Sequence, residues 1–166
     1  MPHFTFDEVD AALGYDPETG IFTRKRLGKF AAKKYLGKPT GYKHSSGCVF
    51  VSINKKKLKA HRVAWLLQTG EWPADEIDHI NGNPSDNRWA NLRAATRSQN
   101  NWNTGTPKHN TSGIKGVGFL ARSGKWRANI SACGQARFLG HFDTAEEAAA
   151  AYRSAALILH GEFVRS

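Results

Sequence analysis

The stretch from Ile77 to Asn101 constrains this chain of 166 residues more than any other part of it. It opens with a carboxylate directly before a histidine, Asp78-His79, in a short run bounded by the apolar residues Ile77 and Ile80. A polar, glycine-containing loop follows, and a group of asparagines closes the stretch. Each fragment alone is typical of a turn, because Asn, Asp and Gly tolerate left-handed backbone. Their occurrence together and in order favours a built site.

Asp78 and His79 are residue types that suit the hydrolysis of a phosphodiester. The reaction needs a base for the attacking water and positive charge for the pentavalent phosphorus and the departing 3′ oxygen. Histidine has an unperturbed pKa of roughly 6.5, so its neutral form can accept that proton at pH 7. Carboxylate and amide oxygens suit Mg²⁺, which shares its shell with the substrate phosphate. Asp78 and one downstream asparagine are therefore the simplest set of protein ligands for the metal ion.

Three segments of this stretch form a specific multi-part pattern. Residues 78–83 are D-H-I-N-G-N, residues 86–93 are D-N-R-W-A-N-L-R, and residues 98–100 are S-Q-N. Together they resemble the phage-type branch of the HNH endonuclease family. The resemblance implies a ββα-metal fold, in which one strand carries Asp78 and His79, a second strand lies near residues 92–96, and a short helix presents Asn100.

The resemblance also implies a role for each of four residues. His79 is the expected general base, Asp78 and Asn100 are the expected metal ligands, and the Asn91 amide is expected to tie the loop in place. Many relatives have a histidine at the last ligand position, so Asn101 stays open as an alternative to Asn100. The expected cofactor is Mg²⁺ or another divalent cation such as Mn²⁺.

The charge of the chain is strongly basic and unevenly spread. The formal net charge is +10 and the pI is near 9.9. Twelve Lys and Arg and no acidic residue lie from Arg24 to Lys59, and nine lie from Asn87 to Phe142, again with no acidic residue. These segments flank the candidate centre and predict a surface that follows a phosphate backbone. The alternatives are a merely basic protein and a membrane-surface binder.

Two further features bear on location. No apolar run approaches the roughly 20 residues that a membrane span needs, and the N-terminal sequence M-P-H-F-T lacks a signal-peptide layout. We therefore expect a cytoplasmic protein that is not secreted, with no membrane partner and no obligatory protein partner.

Residues 1–60 predict a basic, β-rich extension ahead of a nuclease core at residues 61–104. Residues 15–20, Y-D-P-E-T-G, predict a turn and are similar to openings that precede phage HNH modules. Residues 25–41 favour irregular structure, and residues 48–58 a hairpin with lysines at its turn. A helix over residues 60–68 ends before Gly70. His61 on this helix either supports the fold, the interpretation that we favour, or contacts DNA.

A Gly, Pro, Ser, Thr and Asn-rich linker is predicted at residues 105–112, and a second domain at residues 113–166. Three short strands are predicted at residues 116–119, 125–131 and 137–142. A capping box formed by Thr144 and Glu147 then begins a helix.

The second domain carries W-R-A-N-I at residues 126–130, F-L-G-H-F at 138–142 and T-A-E-E-A-A-A-A-Y at 144–152. Over about fifty residues it resembles the AP2 DNA-binding domain, which implies that its open sheet face enters a major groove. Alternation directs Ala128 and Ile130 inward and Arg127, Asn129 and Ser131 outward. Several arginines of the plant family are replaced here, so base specificity does not carry over. The candidate DNA-binding residues are Lys115, Arg122, Lys125, Arg127, Asn129 and Arg137.

The sequence therefore predicts an α+β protein with a ββα-metal nuclease core, an N-terminal β-rich extension, and a C-terminal three-stranded antiparallel sheet packed on one helix. The expected function is metal-dependent cleavage of double-stranded DNA, and one centre per monomer predicts nicking. The alternative is a catalytically inactive, sequence-specific DNA-binding regulator. RNA cleavage is a third interpretation. A sheet that reads the major groove disfavours it, because the major groove of A-form RNA is too deep and narrow for side chains to read.

Overall fold

The computed structural model describes residues 4–26, 33–106, 110, 112–132 and 134–164. Over these residues the fold is α+β, with four α-helices and four small antiparallel sheets. The chain divides into two compact units, Met1–Ala95 and Thr96–Ser166. The sequence predicts a division within residues 105–112. The difference arises because the helix that begins at Arg97 groups with the C-terminal unit.

The first unit holds two helices and eight strands among its described residues. In chain order these are α1 (Phe6–Ala12), β1 (Leu13–Tyr15), β2 (Phe22–Arg24), β3 (Pro39–Thr40), β4 (Tyr42–Lys43), β5 (Val49–Ile53), β6 (Lys56–Lys59), α2 (Ala60–Thr69), β7 (Glu76–His79) and β8 (Leu92–Ala95). Strands β1, β2 and β3 form one sheet, β4, β5 and β6 a second, and β7 and β8 a two-stranded ribbon.

Local sequence explains several of these boundaries. Thr5 begins α1 through a capping box, and Asn54 and Lys55, with φ of 47° and 65°, turn the β5–β6 hairpin. Gly70 ends α2 with φ of 82°. The sequence predicts irregular structure at residues 25–41, but part of this stretch forms β3, which pairs with β2. Residues 27–32 of the stretch lie outside the described residues.

One hydrophobic core joins the elements of the first unit. Buried apolar side chains come from α1, the two sheets, α2 and the β7–β8 ribbon, and they include Val9, Phe22, Val51, Leu66 and Ile77. The ribbon therefore stands on a packed support, which fixes its two strands relative to α2.

The second unit consists of α3 (Arg97–Asn103), β9 (Val117–Leu120), β10 (Lys125–Ala132), β11 (Gln135–Phe142) and α4 (Ala145–His160). The strands form an antiparallel sheet in the order β11-β10-β9. A capping box of Thr144 and Glu147 begins α4, as the sequence predicts. The predicted linker at residues 105–112 lies partly outside the described residues, which omit 107–109 and 111.

A close approach of helix and sheet explains one glycine of this unit. Gly116 has φ of 74°, and a Cβ at this position would collide with the Tyr152 ring and with the backbone oxygen of Asn129. The small core around it is formed by Val117, Ala128 and Ala148. Across the described part of the chain, every helix is too short or too polar to span a bilayer.

Candidate active site

The candidate site is built on the β7–β8 ribbon. The register pairs Asp78 with Arg93 and His79 with Leu92. Asp78 is 3% exposed and His79 is 7% exposed, so both side chains are buried although strand alternation directs them to opposite faces. Because both side chains are buried, neighbouring residues determine the charge balance of the carboxylate and the orientation and pKa of the imidazole.

Asp78 forms an ion pair with its cross-strand neighbour. Arg93 donates to Asp78 Oδ2 from Nε at 2.8 Å and from Nη2 at 2.7 Å. Opposite charges at directly paired positions of an antiparallel ribbon lie close enough to interact. Because both side chains are largely buried, the guanidinium balances a carboxylate that would otherwise be costly to desolvate.

Asn87 fixes the orientation of His79. The His79 Nε2 atom lies 3.2 Å from Asn87 Oδ1, and the Asn87 amide nitrogen donates to Ser85 O at 3.4 Å. With its nitrogen directed at a carbonyl, the amide presents its oxygen to the imidazole and restrains the ring.

Burial lowers the pKa of His79 below its ordinary value, while the hydrogen bond with Asn87 and the charges of Asp78 and Asp86 act in the opposite direction. The lowered pKa keeps the imidazole neutral at pH 7. A neutral imidazole restrained by a neighbouring amide is chemically suited to general-base catalysis.

His61 packs directly against His79. The two rings meet edge to face, with centroids 5.0 Å apart and planes at 90°. His61 is 6% exposed, its Nδ1 has no hydrogen-bond partner, and burial together with the nearby His79 lowers its pKa to about 3. This burial favours the supporting role over DNA contact.

The loop between the two strands is tied together by Asn91. Its Oδ1 accepts from the backbone N–H of Asn81 at 3.0 Å, and its Nδ2 donates to Asn81 Oδ1 at 3.1 Å and to the backbone oxygen of Asp86 at 2.8 Å.

Arg88 pairs with the Asp86 carboxylate through two contacts of 2.8 and 2.6 Å, and its hydrogen bonds lower the pKa of Asp86 to about 2.

The N-terminal turn at residues 15–20 docks on the same loop. The Tyr15 hydroxyl donates to the backbone oxygen of Asn87 at 2.7 Å, and Trp89 N donates to Pro17 O at 2.9 Å. Gly20 permits this approach, because a Cβ there would lie 2.5 Å from Arg88 N. The turn therefore supports the residue that orients His79.

Helix α2 positions the chain that enters β7. Arg62 donates to the backbone oxygen of Asp75 at 2.6 Å and to that of Pro73 at 3.1 Å. His61, one position before Arg62, contacts His79. Two adjacent residues of α2 therefore contact the segment that enters β7 and the last residue of β7.

Asn100 lies on α3, which begins two residues after β8 and is capped by Thr96 and Gln99. The predicted second strand and the predicted helix are therefore both present. Among the described residues, no group of three or more His, Cys, Asp or Glu side chains could hold a metal ion. The predicted ligand set of one carboxylate and one amide does not require such a group.

The predicted DNA-binding residues of the second unit do not share one surface. Arg127 and Asn129 point outward from β10, whereas Arg137 lies opposite the buried Ile130 and faces the side of the sheet that carries α4. Arg122 is exposed in the β9–β10 turn.

Two of the predicted lysines make contacts within the unit. Lys125 pairs with Asp143 at 2.8 Å. Lys115 Nζ lies 2.7 Å from the backbone oxygens of Trp102 and Thr104.

Sequence reasoning gave no role to Arg93, Asn87 or Tyr15. A signal for Arg93 was available, because antiparallel pairing of the two predicted strands can bring it opposite Asp78. The contact between Tyr15 and Asn87 joins residues 72 positions apart and has no local signal.

Comparison with known proteins agrees with this geometry. A family model described as HNH endonuclease matches residues 58–102, which include the whole ribbon. Protein 3.8 of Escherichia phage T7 is 38% identical over 111 residues, covering 66% of this chain and 91% of that protein. An uncharacterised HNH endonuclease of Acanthamoeba polyphaga mimivirus is 35% identical over 133 residues, covering 79% of this chain and 64% of that protein. Residues 58–102 therefore form an HNH endonuclease domain.

This domain, with the viral HNH endonuclease relative, identifies the chain as a DNA endonuclease, with DNA as its substrate. HNH endonucleases generally use divalent metal ions. A shorter similarity joins this endonuclease to APETALA2-like protein 2 of Oryza sativa subsp. indica, at 44% identity over 55 residues, which is 33% of this chain and 13% of that protein. No solved structure matches the chain.

Proposed function

We propose that this endonuclease nicks double-stranded DNA in a reaction that depends on a divalent cation, with His79 as the general base. The observation that carries the proposal is the contact of 3.2 Å between His79 Nε2 and Asn87 Oδ1. This contact restrains a buried neutral imidazole. The His79 imidazole accepts the proton of the attacking water as the water approaches the phosphorus.

The residue types present fit a hard cation. Asp78 offers a carboxylate with about four lone-pair sites, so accepting two bonds from Arg93 at Oδ2 is compatible with metal ligation. Asn100 offers an amide oxygen, a ligand type that Mg²⁺ and Mn²⁺ accept. When held by Asp78 and Asn100, the cation supplies positive charge for the pentavalent phosphorus and the 3′ oxygen.

The remaining residues of the site act on Asp78 and His79. Arg93 orients the Asp78 carboxylate and balances its charge. Asn87 restrains the imidazole through its amide oxygen, and Asn91 holds the loop that carries Asn87. One such centre cuts one strand, so a monomer nicks the duplex.

We further propose that the C-terminal unit is an AP2-like domain that raises the affinity for DNA and positions the cut. Its antiparallel sheet with one helix and the similarity to a plant APETALA2-like protein support this assignment. Arg127 and Asn129 on the open face are the candidate groove contacts, and Arg122 and Arg137 are candidate phosphate contacts. Two linked DNA-binding surfaces add their contacts through a high effective concentration.

Incubation of supercoiled plasmid with the protein in Mg²⁺, Mn²⁺ or EDTA tests the proposal. The expected result is nicked circular DNA that accumulates before any linear DNA in the presence of metal, with no product in EDTA. Equal cleavage in EDTA would contradict the metal dependence. Linear DNA formed without a nicked precursor would contradict nicking by a monomer.

A further inference from the structure

Helix α3, which carries Asn100, is held at its C-terminal end by Lys115. The Lys115 ammonium lies 3.2 Å from the backbone oxygen of Asn101 and 2.7 Å from those of Trp102 and Thr104. The last carbonyls of a helix lack partners within the helix and carry partial negative charge, so a cation is favourable there. Lys115 thus acts as a cationic cap supplied from outside the helix.

A ring stack holds the side of the same helix. Trp102 of α3 stacks on His160, with centroids 4.3 Å apart and planes at 7°. His160 is the last residue of α4, is 6% exposed, and has Nε2 at 3.0 Å from the backbone oxygen of Ser131. The stack therefore joins α3 to α4 and to β10.

The length of α3 makes these contacts important. It has 7 residues, and isolated helices shorter than about 12 residues are only marginally stable in water. The helix needs tertiary contacts to keep its geometry, and within the second unit Lys115 and the Trp102–His160 stack provide them.

We infer that Lys115, Trp102 and His160 position α3 and hence the proposed ligand Asn100, through contacts that all lie within the C-terminal unit. The inference rests on the proposed function, which assigns Asn100 as a ligand. It gives the C-terminal unit a task beyond holding DNA, and it makes Lys115 a positioning residue instead of a groove contact.

The full-length Lys115→Met variant tests this inference, with Arg153→Met as the matched control. Arg153 is an exposed cation on α4 of the same unit and is not one of the candidate DNA-binding residues. Three quantities are measured: amide hydrogen exchange of residues 97–103, the affinity for Mn²⁺ followed by its electron paramagnetic resonance signal, and kcat and KM for plasmid nicking. Circular dichroism checks that each variant is folded.

The expected result for Lys115→Met is faster exchange in α3, a half-saturating Mn²⁺ concentration about two- to fivefold higher, and a lower kcat. The KM for DNA should change no more than in Arg153→Met, and Lys115→Arg should restore slow exchange because it keeps the cation. If Lys115→Met is unfolded, Trp102→Leu should give the same pattern in folded protein, and Trp102→Phe should keep wild-type behaviour.

An effect of Lys115→Met on KM alone, with wild-type exchange in α3 and wild-type Mn²⁺ affinity, would overturn the inference and make Lys115 a DNA contact. Asn100→Ala separates this failure from failure of the proposed function. Unchanged Mn²⁺ affinity in Asn100→Ala would remove the ligand assignment itself. Weakened Mn²⁺ binding in Asn100→Ala but not in Lys115→Met would leave the ligand in place and reject only the positioning role.

Discussion

Replacing Asn87 by alanine removes the amide that lies 3.2 Å from His79 Nε2 and keeps the backbone oxygen that Tyr15 contacts. A hydrogen bond contributes about 0.5–1.5 kcal/mol net, and about 1.36 kcal/mol corresponds to a tenfold change in rate. If this bond serves to orient the base, kcat should fall by about 2- to 12-fold. Complete loss of a general base costs about 10²- to 10⁴-fold, so Asn87→Ala should remain faster than His79→Ala.

Single-turnover nicking of plasmid by four proteins measures this effect: wild type, Asn87→Ala, His79→Ala and the double variant. Residues that act as a unit have non-additive effects, so the double variant should be no slower than His79→Ala. Gln68→Ala removes an exposed amide from α2 and serves as the control. A double variant slowed by the full product of the two single factors would refute the role of Asn87.

The pH dependence of the same variant supplies a second test. In the wild type, the hydrogen bond between His79 and Asn87 raises the pKa of His79. Removing this bond therefore lowers that pKa further. Because the neutral imidazole is the active form, the acidic limb of the pH–rate profile should lie at lower pH in Asn87→Ala than in wild type. A limb displaced to higher pH would contradict this assignment.

Three stability predictions follow from other contacts. Burial lowers the pKa of His61 from 6.5 to about 3, so between these values the unfolded chain binds more protons and the free energy of unfolding decreases as the pH is lowered. In urea unfolding, the stability of His61→Phe relative to wild type should therefore rise from pH 7 to pH 4, and a constant difference would contradict this. Arg93→Met should lower the free energy of unfolding by about 3–5 kcal/mol, because it breaks a buried ion pair. A loss below about 1 kcal/mol, which is typical of an exposed ion pair, would contradict this. Thr144→Ala should cost about 1 kcal/mol through loss of the α4 cap, whereas Ser154→Ala in the same helix should be neutral or stabilising.

Elements with a local signal could be predicted from the sequence. Thr144 with Glu147 begins α4 through a capping box that depends only on residues three positions apart. Strands β7 and β8 are expected from the resemblance to the HNH family. Outward and inward positions of β10 follow from alternation: Ala128 and Ile130 are buried, and Arg127 is exposed.

The contacts that tune the candidate site could not be predicted in this way. His61 meets His79 because α2 packs against the ribbon, and Tyr15 reaches Asn87 across 72 positions of sequence. Such contacts depend on how elements pack, and residue spacing does not report packing. Lys115 illustrates the same limit, because its charge predicts an anionic partner in general but does not distinguish a phosphate from the carbonyl end of α3.

The measurement that tests the central claim most directly is the single-turnover nicking rate of wild type and His79→Ala in Mg²⁺, with DNA binding followed in parallel at one fixed salt concentration. The account predicts a loss of about 10²- to 10⁴-fold in rate with DNA affinity retained. A variant that cuts at the wild-type rate while binding DNA equally well would contradict His79 as the general base.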